Sequence, residues 1–422
     1  MLLKSFNRKE WAWIFYDWAN SAFATTVLAG FFPIFFKKFW SAGQNTTQTT
    51  YYLGLANSCT SLIIVFLAPL LGSIADRYSL KKKFLFVFCF LGVVMTAALF
   101  WVHHGHWQLA AIIYVFANLG FAGGNIFYDA LIVDVSEKSK LDKLSSFGYA
   151  FGYLGGGILF ALNVAMTLKP EFFDLANKTQ AVQFSFLSVS IWWMLFALPL
   201  FFICEESQSA KDKVSFKQAL LGGFHQLWQT LKKLKKNKNL RYFLFAYWFY
   251  IDGVNTLIKM SVDYGLSLGF EDKDLITALL LVQFIGFPAA VAFSKIADIL
   301  CNKRGIFIGL FIYCFVCIWG YFVQETYEFY ILAAMIGLVQ GGVQSLSRSL
   351  YAQMIPKDQS AEYFSFYNMM GKTAAIMGPL VMGWVALTTG DNRLSILAIS
   401  LLFFIGMAIL SFVKKENQSN SQ

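Results

Sequence analysis

Long apolar runs, separated by short polar or basic interruptions, occupy most of the chain. Runs of about 20 residues, enough to cross roughly 30 Å of hydrocarbon as helix, fall near 12–39, 52–75, 84–102, 107–134, 145–167 and 183–204. Six more lie near 241–264, 275–297, 305–323, 327–352, 362–388 and 393–413. The pattern predicts an all-α membrane protein of twelve transmembrane helices: an N-terminal six-helix bundle (1–204), a linker (205–240) and a C-terminal six-helix bundle (241–422). In the linker, Phe224, Leu227, Leu231 and Leu234 recur at helical spacing among lysines. That suits a helix lying on an anionic lipid surface, with a bare solvated tether as the alternative.

Composition narrows the class. With 57% hydrophobic and only 14% charged residues, the chain is too apolar for a soluble protein of 422 residues. The first apolar run is too long for a cleavable signal and is expected to remain as the first helix. Of the 34 lysines and arginines, 25 fall on the side of the membrane that holds the termini, six on the other side, and three (Lys259, Arg348, Lys372) within helices. The positive-inside rule therefore places both termini in the cytoplasm. The net charge of +10 follows from that asymmetry and does not call for nucleic acid. Six cysteines lie in or beside apolar runs, and the Cys314/Cys317 pair, without other ligands, reads as packing. His103, His104 and His106 have no carboxylate near them in sequence, so no metal site is expected. No phosphate-binding loop and no nucleophile with a recognisable base occurs, which removes ATP-driven pumping and argues against catalysis; no cofactor is expected.

A repeat carries the chemistry. Trp13, Asp17, Asn20 and Ser21 recur as Trp248, Asp252, Asn255 and Thr256, the pattern W-x₃-D-x₂-N-[ST]. A carboxylate inside an apolar helix faces a partner or a watered cavity, and two equivalent ones suggest a pathway between two halves. The second run ends in I-A-D at Asp76, followed by Arg77, Lys81 and Lys82; the eighth ends in I-A-D at Asp298, followed by Lys303 and Arg304. Such an aspartate can accept helix-terminal N–H groups or pair with a basic residue and so lock one side shut, or it can simply cap its turn. Gly123-Gly124 and Gly341-Gly342, and Ser146-Phe147 and Ser365-Phe366, extend the duplication across each half.

Together these features resemble the major facilitator superfamily, and within it the vacuole-effluxer-like branch of fungal vacuolar amino-acid exporters and bacterial relatives. The residues that carry the resemblance are 16–22, 127–131, 148–156, 252–256 and 345–350. The second I-A-D segment departs from the superfamily signature, with Ser294 for glycine and Ile299 for arginine. The resemblance implies secondary active transport of an amino acid or related small polar metabolite by alternating access, in a bacterial plasma membrane, by a functional monomer. Export of an amphipathic compound or lipid is the second reading, and a polytopic enzyme or receptor the third. Expected partners are the small-molecule substrate, membrane lipids and, as coupling ion, protons; nucleic acid is not among them.

In that fold the first, fourth, seventh and tenth helices line the cavity. Candidates for the substrate or proton pathway are Asp17, Asn20, Asp129, Asp252, Asn255, Lys259, Gln344 and Lys372. Asp17 and Asp252 are the candidates for a coupling proton. Lys259 and Lys372 could meet a substrate carboxylate or neutralise Asp252, and the mixed charges suit a zwitterion. Candidates for gating are Asp76, Arg77, Lys81, Asp298 and Arg348. Arg348 lies within reach of Asp17 or Asp129; such a pair either stabilises an outward-facing state or braces the fold permanently.

Overall fold

The computed structural model describes residues 6–44, 46–206, 232–233 and 236–414. Among them every regular element is helical. Twelve long helices follow in order. α1 runs Arg8–Trp40, α2 Thr46–Tyr78, α3 Lys81–Ala98, α4 Trp107–Val135, α5 Leu141–Leu168 and α6 Lys178–Ile203. α7 is Lys238–Ser267, α8 Asp272–Leu300, α9 Asn302–Phe322, α10 Thr326–Met354, α11 Ser360–Thr389 and α12 Asn392–Ser411. Ten of these are long and apolar enough to cross a membrane; α7 and α11, which carry Lys259 and Lys372, complete the set. The residues proposed for an amphipathic linker helix (Phe224, Leu227, Leu231, Leu234) lie outside the described residues.

The two sets of six pack alike. In the first, α1 lies against α5 and α6, α4 against α2 and α3, and α3 against α6. Adding six to each number reproduces the contacts of the second set: α7 with α11 and α12, α10 with α8 and α9, α9 with α12. The sets meet through α2 with α11, α5 with α8 and α10, and α4 with α11. Phe66, Phe202, Phe311 and Leu401 stand exposed on the outer wall, where hydrocarbon rather than water is the compatible solvent. Lys9 pairs with Glu205 at 2.5 Å, and Asn239 donates to the Lys414 carbonyl at 3.0 Å. Both ends of both sets thus lie on one face, called here the termini side.

α1 is not uniform. Asn7 and Glu10 form a capping box at its start, and the helix is α-helical to Ala22. It widens to a π-helix over Phe23–Phe31 and again over Phe36–Trp40. Pro33, which has no N–H, sits between the two segments and leaves a carbonyl of the preceding turn without its usual donor. The widened stretch begins just past Asp17, Asn20 and Ser21, on the wall of the central cavity.

Candidate functional site

A cavity of about 1150 Å³ lies between the two sets. Its polar lining comes from Asp17, Asn20 and Ser21 of α1, Asn125 and Asp129 of α4, Asn255 and Lys259 of α7, Gln340, Gln344 and Arg348 of α10, and Asn368 and Lys372 of α11. On the far side it reaches the exposed Ile34 and Leu55. On the termini side it ends at Arg348.

Arg348 is 3% exposed and uses all three guanidinium nitrogens, in four hydrogen bonds. Nη1 donates to Asp129 Oδ1 at 3.1 Å and Nη2 to Asp17 Oδ2 at 3.5 Å. Nε donates to Ser145 Oγ at 2.9 Å, and Nη2 also to the Ser145 carbonyl at 3.0 Å. The rings of Trp13, Tyr128 and Tyr149 face the cation at 4.7, 5.5 and 4.4 Å, a cage that suits a weakly hydrated planar cation. Tyr128 donates its hydroxyl to Asp17 at 3.1 Å, and Asn368 donates to Asp129 at 3.2 Å. One residue of the C-terminal set thereby holds two carboxylates of the N-terminal set, and two carboxylates share one cation. Next to this knot Ser145 donates to the Ser345 carbonyl at 2.8 Å, and Ser146 and Ser345 share a bond at 3.2 Å.

Nearer the termini-side surface a second lock joins the sets. Asp76, at the end of α2, accepts the backbone N–H groups of Ala361 (3.0 Å) and Glu362 (2.7 Å), the first turn of α11. A carboxylate there satisfies orphan donors and meets the positive end of the helix dipole. Lys81 lies 3.5 Å from Asp76 and 2.9 Å from Asp134, tying the lock to α3 and α4. Gly72 makes the approach possible: a Cβ there would sit 2.1 Å from Ser365 Oγ and 2.6 Å from the Ala361 carbonyl.

Such an arrangement, a polar cavity between two equivalent helix sets, is how secondary transporters are commonly built from internal repeats. Over residues 41–135 and 132–422 the sequence matches the family described as "Vacuole effluxer Atg22 like". The chain belongs to that family. YxiO of Bacillus subtilis (strain 168), described as an uncharacterized MFS-type transporter, is 36% identical over 421 residues, covering 99% of this chain and 98% of its own. Autophagy-related protein 22 of Vanderwaltozyma polyspora is 20% identical over 479 residues, covering 96% of this chain and 90% of its own. Among solved structures, the major facilitator transporter FucP in its outward conformation matches with a TM-score of 0.70 at 13% identity, over 97% of this chain and 98% of that one. The human organic anion transporter MFSD10 matches at 0.72 and 13%, over 96% and 99%. At that identity these two speak for the fold alone, which is the major facilitator fold; with the relatives, they make the Atg22-like chain an MFS-type multi-pass membrane transporter.

The residues singled out in the sequence of this Atg22-like protein do not all meet in one place. Asp17, Asn20, Asp129, Asn255, Lys259, Gln344 and Lys372 all line the cavity, with Arg348 at its floor. Asp252 does not: it is 2% exposed and lies between α7 and α11. It accepts the Gly378 N–H at 2.9 Å and the Thr256 hydroxyl at 3.4 Å. Its placement on the pathway is therefore corrected to a staple behind the cavity wall. The cause is Gly378, where any Cβ would fall 1.8 Å from Thr256 Oγ1, so the backbone itself comes up to the carboxylate. The repeated aspartates thus have unlike partners: Asp17 reaches across the sets and Asp252 stays within its own.

Two gating expectations also change. Asp298 is exposed and makes no bond among the described residues, so the second I-A-D does not latch as the first does. Its place is taken from the next turn by Asn302, which donates to Asp142 of α5 at 2.6 Å, with Gln353 adding a second bond at 2.8 Å. Arg77 is half-buried and enters no ion pair among the described residues; Lys81 alone supplies the cation of the first lock. Sequence reasoning passed over Asp142, Ser145, Tyr149 and Asn368. Of these, Asn368 carried a usable signal: it precedes Lys372 by four residues and so shares its face of α11.

Proposed function

We propose that this protein is a secondary active transporter that carries an amino acid or related small polar metabolite by alternating access, in a bacterial plasma membrane, with both termini cytoplasmic. The observation that carries the reading is the one-sided closure: a polar cavity that reaches the far surface and is shut on the termini side by Arg348 with Asp17 and Asp129. With the termini in the cytoplasm, this is the outward-facing state, and Asp76 on the first turn of α11 is its outer bolt. Inward opening must break both locks.

The charge count at the floor supports a reading with proton coupling. Asp17 and Asp129 together bring one more negative charge than Arg348 neutralises, and a buried excess charge is costly in this setting. A proton taken up there removes the excess and weakens the hold on Arg348, linking protonation to opening. The test uses the purified full-length protein in proteoliposomes, with a panel of amino acids and related metabolites, scored for counterflow and for uptake driven by a pH gradient. The expected outcome is substrate-dependent counterflow by the wild type, with Asp129→Asn keeping counterflow and losing pH-driven accumulation. Full pH-driven accumulation by Asp129→Asn refutes coupling at the floor; absence of counterflow for every substrate refutes the transport reading itself.

A further inference from the structure

Besides Lys37 near the far mouth, two cations on the cavity wall, deeper in the membrane, have no use in the locks. Lys259 of α7 is exposed on the wall, and Lys372 of α11 is half-buried. α7 and α11 are packed neighbours, and the two ammonium groups are near enough to repel each other. Neither has an ion-pair or hydrogen-bond partner among the described residues. Cationic side chains deep in a membrane helix are kept where they meet a partner or a transported group. Among the described residues Asp252 is the carboxylate whose charge reaches Lys259, but it forms no ion pair with it: its Oδ1 accepts from Gly378 and Thr256, and it sits behind the wall.

The rest of the lining decides which ligand fits. Asp17 and Asp129, the carboxylates of the opposite wall, are both held by Arg348. Much of what remains between the two walls is neutral and polar: the amides Asn20, Asn125, Asn255, Gln340 and Gln344 and hydroxyls such as Ser21. A ligand amine would therefore find no carboxylate to itself, whereas a ligand carboxylate would find two ammonium groups. Resting on the transport reading, we infer that Lys259 and Lys372 form a carboxylate subsite and that the preferred substrates of this transporter carry net negative charge, as dicarboxylates or acidic amino acids do. The amides then hold the uncharged part of the ligand. Each ammonium has three donors, and one from each lysine can hold one oxygen of a carboxylate seated between them.

The test is binding to the full-length protein in detergent, read by thermal unfolding and by direct binding of radiolabelled probes. The probes are succinate, citrate and L-glutamate, set against the uncharged or zwitterionic succinamide and L-glutamine and the cationic L-lysine. At least one anion is expected to bind at least about tenfold more tightly than its amide counterpart, the scale of one charge-assisted hydrogen bond. Lys259→Gln and Lys372→Gln should each remove that preference while the unliganded melting temperature stays near that of the wild type, and Lys372→Arg should restore part of it. Equal binding of acid and amide, no binding by any anion, or preference unchanged in both glutamine variants overturns the subsite. Asp263, one turn beyond Lys259 in sequence, is tested as Asp263→Asn: anion affinity within about twofold of wild type agrees with a free Lys259, and a gain above tenfold shows that Asp263 holds it and overturns the assignment. Counterflow separates the two claims. Lysine-dependent anion binding without transport keeps the subsite and sinks the transporter, while transport of zwitterions indifferent to both lysines does the reverse.

Discussion

Asp76→Asn isolates the outer lock, and its effect can be worked from the contacts. The carboxylate accepts two backbone N–H groups, from Ala361 at 3.0 Å and Glu362 at 2.7 Å, and faces Lys81 at 3.5 Å. An asparagine keeps one acceptor oxygen, turns a donor toward the other N–H, and leaves Lys81 with Asp134 alone. A hydrogen bond to a charged group contributes about 1.5–3 kcal/mol, and the freed N–H is hydrated only once the lock opens. The loss is thus about 2 kcal/mol against the closed state, equivalent to roughly a 30-fold shift toward opening on the termini side. The assay is thiol labelling by an impermeant reagent in a cysteine-free background. Ser146→Cys reports the termini side, since Ser146 is buried against Ser345, and Ser58→Cys reports the far end of the cavity. Labelling of Ser146→Cys should rise by about that factor while labelling of Ser58→Cys falls. Unchanged rates at both positions refute the lock; a rise at both shows loosening of the whole fold, which refutes it equally.

Three further outcomes follow from single contacts. Gly378→Ala forces a Cβ to within 1.8 Å of Thr256 Oγ1 and 2.9 Å of Asp252 Oδ1, so it should destabilise by about 1–3 kcal/mol; adding Thr256→Ala should recover much of this in a thermal melt, and no recovery would place the strain elsewhere. Cys301 joins α8 to α9 at φ 72° and ψ 157°, a region that suits glycine and costs another residue about 1–3 kcal/mol, so Cys301→Gly should raise the melting temperature, and a fall would refute the strain. Burial pushes the Glu206 carboxyl above its ordinary range, although the N–H groups of Lys81 and Lys82 oppose this. The docked segment therefore binds the proton more tightly than the free one: docking is fullest below the ordinary carboxylate range and weakens as pH rises through the raised one. A spin label at Glu205→Cys should gain mobility across that interval, and Glu206→Gln should abolish the dependence.

How much of this was legible depended on how local its cause is. Helix positions were legible because each apolar run must by itself span the bilayer, and the observed helices begin at or a few residues before the expected spans and end within a few residues of them. The contact of Arg348 with Asp17 and Asp129 was within reach of sequence reasoning, because charges buried in separate helices need one another. Its cage of Trp13, Tyr128 and Tyr149 was not, because it depends on how α1, α4 and α5 rotate about their axes. Asp252 shows the same limit from the other side. Its motif matches that of Asp17, but what it touches is set by a glycine 126 residues later, and no local pattern in α7 announces that approach. The π-helical stretch of α1 was equally hidden, since Pro33 marks a break without saying whether the helix kinks or widens.

The repeat matters most where it fails to repeat. A transporter with two identical locks would gain the same free energy from closing each pair of helices, and nothing would order the steps of opening. Here the α2–α11 contact is held by a carboxylate on backbone N–H groups with Lys81 behind it. On the pseudo-equivalent side, where α5 packs on α8, Asp142 of α5 is held by amide donors from Asn302 of α9 and Gln353 of α10, with Asp298 of α8 left exposed. Bonds from neutral amides to one carboxylate lack the paired cation and the helix terminus of the first lock and should yield sooner. Asn302→Ala should then raise labelling of Ser146→Cys less than Asp76→Asn does, and combining the two should exceed the sum of their free-energy effects only if the locks release together. Additive effects assign the locks to separate steps, with the α5 side opening before the α2 side lets go.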